Sequence, residues 1–222
     1  TSVTFDDDVY TVVTSVDGFL IPYIDPEVLP LSPYETFMSG TQMRVPLIIG
    51  SNSFDGSVMP ASGVDVPELF SLLGDQAESI YAVYQQQFVS GELSVASLFG
   101  DLRYGLPTTT MGEAHGAAGN TAYLYYLDYV PASLVQVLPG APHGIELPLM
   151  MGYQPAGVPP EIDLTNDTFG SQLFSTWLGF IKDGSMAGPL EFSPTQESVV
   201  VNALGRQDRV TDFTSRIELI ES

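Results

Sequence analysis

Val45-Pro46-Leu47-Ile48-Ile49-Gly50, followed at once by Ser51-Asn52-Ser53-Phe54-Asp55-Gly56-Ser57, is the stretch on which the fold turns. Its first half is a short, unbroken apolar run closed by glycine. That is the pattern of a strand covered on both faces, as in a parallel sheet. Its second half is polar and turn-forming, so the strand's end opens into a loop that carries an acid, Asp55. A second run, Tyr123-Leu124-Tyr125-Tyr126-Leu127, is rich in aromatics and reads as another strand. It leads into a Pro/Gly-containing loop from Pro131 to Pro148, and His143 lies within it.

Helical patterns fill the space between and after these runs. Pro67-Glu68-Leu69-Phe70 opens a helix with proline in its first turn and Gly74 at its end. From Ala77 to Phe88 the residues Ile80, Val83, Tyr84 and Phe88 recur on one side. Pro107 to Ala118 reads as helical and is stopped by Gly119-Asn120. A helix is predicted from Asp167, with Leu173, Phe174, Trp177, Leu178 and Ile181 as its apolar stripe and Gly184 as its cap. A last helix near Asp208 to Ile220 places Val210, Phe213, Ile217 and Ile220 on one face. Before the first strand, Asp17-Gly18 reads as a tight turn joining short strands, and prolines follow at Pro22, Pro26, Pro30 and Pro33. Helix and strand alternate without an internal repeat or a linker. The fold class expected is therefore α/β, with residues 1–222 belonging to a single domain.

Composition narrows the function classes. The 222 residues carry a formal net charge of −21, with a single lysine, Lys182. Such a chain has no basic patch to set against a phosphate backbone or an anionic membrane surface, so nucleic acid is not an expected partner. No apolar run approaches the roughly 18–20 residues that a membrane-spanning helix needs. Cysteine is absent, which removes a disulfide framework, a thiolate nucleophile and any Cys-based zinc site. The acidic, lysine-poor composition resembles that of salt-adapted or extracellular proteins, and a secreted or periplasmic location is the expectation. The chain opens on Thr1 rather than Met, and reads as a cleavage product or a segment of something longer.

The search for chemistry is short, because the chain holds 2 histidines. His115 lies within a helical pattern and reads as a packed or surface histidine. His143 follows a strand, and open α/β sheets place their chemistry at the C-terminal ends of strands. Asp55 alone is ordinary turn chemistry, since Asp-Gly is a common turn dipeptide. The pair weighs more than either residue. An acid after one strand and a histidine after a later one is the chain order that an α/β-hydrolase triad follows after its serine. A neutral imidazole must take the serine proton and then hold positive charge, and a buried carboxylate fixes its tautomer and steadies that charge.

Arg44 through Gly50 followed by Asn52-Ser53-Phe54-Asp55-Gly56 resembles the type-B carboxylesterase/cholinesterase family. There a Val-Pro strand ending in glycine leads to an Asn-containing loop whose acid belongs to the triad. Asp55 occupies that acid's place, where most members have Glu. Gly140-Ala141-Pro142-His143-Gly144-Ile145-Glu146-Leu147-Pro148 is similar to the loop that supplies the family's triad histidine, and is the most specific of the matches. Weaker matches keep the family's order: Val16-Asp17-Gly18 through Pro22, Asp101 through Tyr104 with Pro107, Tyr123 through Asp128, and Gln172 through Trp177 with Phe180 and Gly184.

The resemblance implies the C-terminal part of an α/β-hydrolase fold and a serine-dependent carboxylic-ester hydrolase, with Asp55 and His143 catalytic. It implies a small-molecule ester as substrate, and neither cofactor nor metal. No Gly-x-Ser-x-Gly and no Gly-rich oxyanion loop occurs in these residues, so the nucleophile is expected in an N-terminal part of the same enzyme. The alternative is a catalytically inactive member of that family serving adhesion. Two acidic groupings, Asp6-Asp7-Asp8 and Asp163/Asn166/Asp167, lack the spacing of calcium loops and read as solvated faces. Tyr123, Tyr125, Trp177 and Phe180 are expected in the core.

Overall fold

The structure, a computed structural model, describes residues 23–156, 158–186 and 207–221, with side chains from 213 onward in the last segment. The expected Asp17-Gly18 turn, the Val16–Pro22 match, Asp6-Asp7-Asp8 and the side chain of Val210 lie outside the described residues. The fold mixes helix and strand around a two-stranded parallel sheet. Strand β1, Leu47–Asn52, pairs with β2, Ala122–Leu127, in the register Leu47↔Ala122 through Asn52↔Leu127. Parallel neighbours need a long crossover, and the intervening helices provide it. No described helix is long and apolar enough to cross a membrane.

The helices follow from local sequence. Helix α1, Pro33–Met38, starts at a capping box in which Ser32 and Glu35 satisfy each other's backbone N–H groups. Helix α2, Met59–Ser62, is a single turn, and α3, Val66–Leu73, repeats the box with Asp65 and Glu68 and puts Pro67 in its first turn. Helix α4, Ala77–Gln87, buries Ile80 and Tyr84 as its spacing predicts. Helices α5, Gly91–Gly100, and α6, Leu106–Ala117, run on from one another through a π-turn, Asp101–Gly105. Pro107 explains that turn: it has no N–H for the carbonyl four residues back, so the ladder widens and the Leu106 N–H bonds the Asp101 carbonyl instead. Thr108 and Thr109 hydroxyls bond the Tyr104 and Gly105 carbonyls of the widened turn.

The sheet is covered on both faces. On one side Tyr123 meets Phe180 and Tyr125 meets Trp177, both edge-on, from helix α8. That helix spans Thr168–Asp183, is capped by Asp167 and ends at Gly184 in the left-handed region. On the other side Tyr126 stacks on Phe213 of the last helix, α9, Gln207–Glu221, at 4.2 Å between ring centroids. The four aromatics named from sequence thus pair on one face of the sheet, Tyr123 buried and Tyr125, Trp177 and Phe180 half-buried. Of the expected α8 stripe, Leu173 is buried and Trp177 half-buried, whereas Phe174, Leu178 and Ile181 are 40%, 36% and 75% exposed. The buried face is rotated: Phe169, Gly170, Leu173 and Thr176 turn inward, because Gly170 lies against the backbone of Leu149 in helix α7, Glu146–Met151.

Two packing features carry testable weight. Inside the helical layer, the Arg216 Nε donates to Asp101 Oδ2 at 2.7 Å, the Tyr84 hydroxyl donates to the same oxygen at 2.7 Å, and Arg216 Nη1 donates to Gln87 at 2.8 Å. All of Arg216, Asp101 and Tyr84 are buried. Arg216→Met would strand a buried carboxylate, and a stability loss of about 3–5 kcal/mol is expected in denaturant titration. The double variant Asp101→Asn with Arg216→Met should recover part of it.

The second feature is the close approach of α5 to the turn after β1. A Cβ on Gly56 would lie 1.8 Å from the Ala96 carbonyl oxygen, and one on Gly100 would lie 2.6 Å from the Gly56 nitrogen. Only glycine pairs allow backbone this near. Gly56→Ala should lower stability by about 1–3 kcal/mol in a thermal melt, since rigid backbone rather than a flexible side chain must yield.

Candidate functional site

Both strands end at the same edge of the sheet, and the loops after them are laced together. The ladder continues past β1 through Ser53, whose N–H donates to the Leu127 carbonyl at 2.8 Å, and Phe54, whose N–H donates to the Ala141 carbonyl at 2.9 Å. The Ala141 N–H donates back to the Ser53 hydroxyl at 2.8 Å, and the His143 N–H donates to the Ser57 hydroxyl at 2.9 Å. Asn52, the buried last residue of β1, donates through Nδ2 to the Pro142 carbonyl at 3.0 Å and to Glu146 Oε2 at 2.8 Å. Backbone hydrogen bonds, small hydroxyls and the Asn52–Glu146 contact thus fix one loop against the other before Asp55 and His143 are considered.

Within this frame Asp55 and His143, 88 residues apart in sequence, meet directly: His143 Nδ1 lies 2.8 Å from Asp55 Oδ1. Asp55 opens a turn of 3₁₀ helix, Asp55–Val58, and its other oxygen accepts the Asn52 N–H at 2.7 Å. The two side chains differ sharply in setting. That of Asp55 is 4% exposed and that of His143 is 40% exposed. A ring bonded through Nδ1–H to a buried carboxylate has Nε2 as its basic nitrogen, on the side away from the acid.

Electrostatics follow from that arrangement. The hydrogen bond that His143 donates to Asp55 raises the His143 pKa above the ordinary imidazole range, and the negative charges of Asp55 and Glu146 add to it. Partial burial and the Arg103 cation oppose the rise. Burial raises the Asp55 pKa, against the pull of the His143 hydrogen bond and the Asn52 N–H. An imidazole set up in this way can accept a proton at Nε2 and hold the resulting charge.

The other residues named from sequence separate from this pair. His115 is buried in α6, accepts from Gln42 at 3.1 Å through Nδ1 and donates through Nε2 to the Val45 carbonyl at 2.8 Å. It holds the start of β1 against the helix. Asp163 accepts from the Thr165 N–H and hydroxyl and from Asn166, and Asp167 caps α8, so this acidic grouping serves its own turn and helix end. No group of three or more His, Asp or Glu side chains suited to a metal ion occurs among the described residues.

Sequence reasoning did not single out Asn52, Ser57, Glu146 or Tyr104 as parts of the site. Asn52 and Glu146 sit inside the two matched segments, so their place beside the pair was accessible as a signal. Tyr104 belongs to the π-turn, and its ring lies 4.5 Å from the His143 ring between centroids, tilted by 35°. No family model matches the chain, and no curated protein matches it.

Proposed function

We propose that this chain supplies the acid and the base of a serine-type carboxylic-ester hydrolase, as the C-terminal part of an α/β-hydrolase fold. The observation that carries the reading is the hydrogen-bonded pair at the ends of two adjacent parallel strands, its carboxylate buried and its imidazole accessible. The resemblance of the two loops to the type-B carboxylesterase family supports it further. The nucleophile is a serine outside these 222 residues, in an N-terminal part of the same enzyme.

In the mechanism, His143 Nε2 removes the serine hydroxyl proton as the oxygen attacks the ester carbonyl. The imidazolium, steadied by Asp55, then donates that proton to the departing alcohol as the carbon–oxygen bond breaks. Water resolves the acyl-enzyme through the same histidine, which first takes a proton from the water and then returns it to the serine. Each proton gained by Nε2 is given up within the cycle, and no cofactor takes part.

The test is the intact mass of the native species after treatment with a tagged fluorophosphonate, with hydrolysis of p-nitrophenyl acetate measured in parallel. The reading requires a labelled serine in the same polypeptide or in a companion that co-purifies, and labelling that abolishes turnover. A native species with neither label nor turnover overturns it and leaves a catalytically inactive, adhesion-type member of the fold.

A further inference from the structure

The hydrogen bond to Asp55 holds one atom of the His143 ring, and the side chain is 40% exposed. A base that must present Nε2 in one direction needs a second restraint, and supporting contacts of this kind set the precision of a site. Tyr104 supplies a flat surface at the right place: its ring centroid is 4.5 Å from that of the imidazole, within the range of offset aromatic packing.

The π-turn is what brings Tyr104 there. Widening the helix between Asp101 and Leu106 admits an extra residue, and Tyr104 lies within the widened turn. The start of the turn is pinned in the core, where Asp101 binds Arg216 and Tyr84. Three residues later the chain delivers Tyr104 to the imidazole. Behind it, the Arg103 guanidinium lies 5.6 Å from the centre of the Tyr104 ring and 5.7 Å from that of Phe99.

We propose that Tyr104 is a positioning residue for His143, its ring face holding the imidazole in the orientation set by Asp55 and favouring the imidazolium once the proton is taken. The proposal rests on the esterase reading for its catalytic consequence, and on the ring contact alone for its effect on His143. The phenol hydroxyl bonds Arg103 rather than the imidazole, so phenylalanine keeps the ring contact with His143. The charged and titratable groups facing the imidazole are Asp55 and Glu146, which favour its protonation, Arg103, which opposes it, and Tyr104 itself. An aromatic face adds to the side of the cation.

The ring resonances of the 2 histidines of these 222 residues, assigned by substituting each in turn, can be tracked in the full protein, with buried His115 as an internal control of folding. Tyr104→Phe should leave the His143 titration midpoint and kcat/KM for p-nitrophenyl acetate within about twofold of the parent. Tyr104→Leu should lower the midpoint and cut kcat/KM by about tenfold, mostly in kcat, with the acid limb of the pH–rate profile moved to lower pH. Tyr104→Met repeats the aliphatic arm should the leucine variant disturb the His115 resonances. An unchanged His143 midpoint in the aliphatic variants overturns the proposal, as does a phenylalanine variant that behaves like leucine. A parent protein without turnover removes the esterase reading, while the resonances still decide whether Tyr104 governs the imidazole.

Discussion

Replacing His143 with alanine is expected, on the proposed esterase reading, to lower kcat/KM for ester substrates by at least about 10⁴-fold. The size comes from the role: without Nε2 there is no group to take the serine proton, and binding energy alone accounts for the turnover that remains. The ring is partly exposed, so its loss removes little packing. Its loss does alter Asp55, which keeps the Asn52 N–H but no longer has a partner at Oδ1. A buried carboxylate short of a donor is penalised far more when ionised than when neutral. Burial already raises the Asp55 pKa, and the variant should raise it more.

The sign of the linkage is then fixed. A raised carboxyl pKa makes the ionised form the unfavourable one in the folded state. His143→Ala should therefore melt higher in mild acid than at neutral pH, losing stability as pH climbs through the folded-state Asp55 pKa. His143→Gln offers the contrast, since its amide N–H can still reach Asp55. It should be equally inactive yet show a flatter stability profile. Turnover and melting curves at several pH values check both statements, and an active alanine variant removes His143 from the mechanism.

The legible parts of this molecule are those whose cause is local. Leu47–Ile49 and Tyr123–Leu127 announce themselves as strands because a run covered on both faces is apolar without alternation, whereas Ser51 and Asn52, read as loop, continue the first strand beyond Gly50 by pairing with Tyr126 and Leu127. The loops after them are marked by turn residues. Helix α5 was not legible: beside Leu98 and Phe99 its buried residues Ser94, Ser97 and Gly100 are small, Gly100 because the Asp55–Gly56 turn lies against it and Ser94 because it bonds the Tyr84 carbonyl, and a search for large apolar residues passes over such a face. Helix α7 hides in a Pro/Gly-rich segment, its Pro148 compatible with a first turn. On α8 the large side chains Phe174, Leu178 and Ile181 drew the apolar stripe to the wrong side, while the true contact face depends on Gly170 and Thr176. In the site, Asp55 and His143 were readable through their order after two strands. Tyr104 was not, because an aromatic contact spanning 39 residues and relying on a π-turn leaves no local pattern.

Asp55→Asn is expected to cost about 10³–10⁴-fold in kcat/KM while leaving the protein as stable as the parent at neutral pH or more so. The amide keeps the shape of the carboxylate but not its chemistry. Turned one way, it accepts from Nδ1–H without charge and no longer steadies the imidazolium, but sets its NH2 against the Asn52 N–H, so the other orientation is favoured. Turned the other, it donates to Nδ1 and places the imidazole proton on Nε2, where the base should be. Either arrangement removes catalytic power without emptying space in the core.

The pH dependence separates this outcome from general damage. In the parent, the Asp55 hydrogen bond is the largest cause of the raised His143 pKa, so activity should rise with pH through a limb above the ordinary imidazole range of about 6.5. In the variant that cause is gone, and the limb of the residual activity should move to lower pH. Stability moves by the same logic. A raised histidine pKa contributes stability that is full below the unfolded value and lost as pH rises through the folded one. The buried carboxylate contributes a penalty that grows over its own, more acidic window. Asparagine abolishes the second and shrinks the first, so the variant's melting temperature should vary less with pH than the parent's. A variant that keeps parental turnover with an unshifted acid limb would show that the carboxylate merely holds the loop, and that the base works without it.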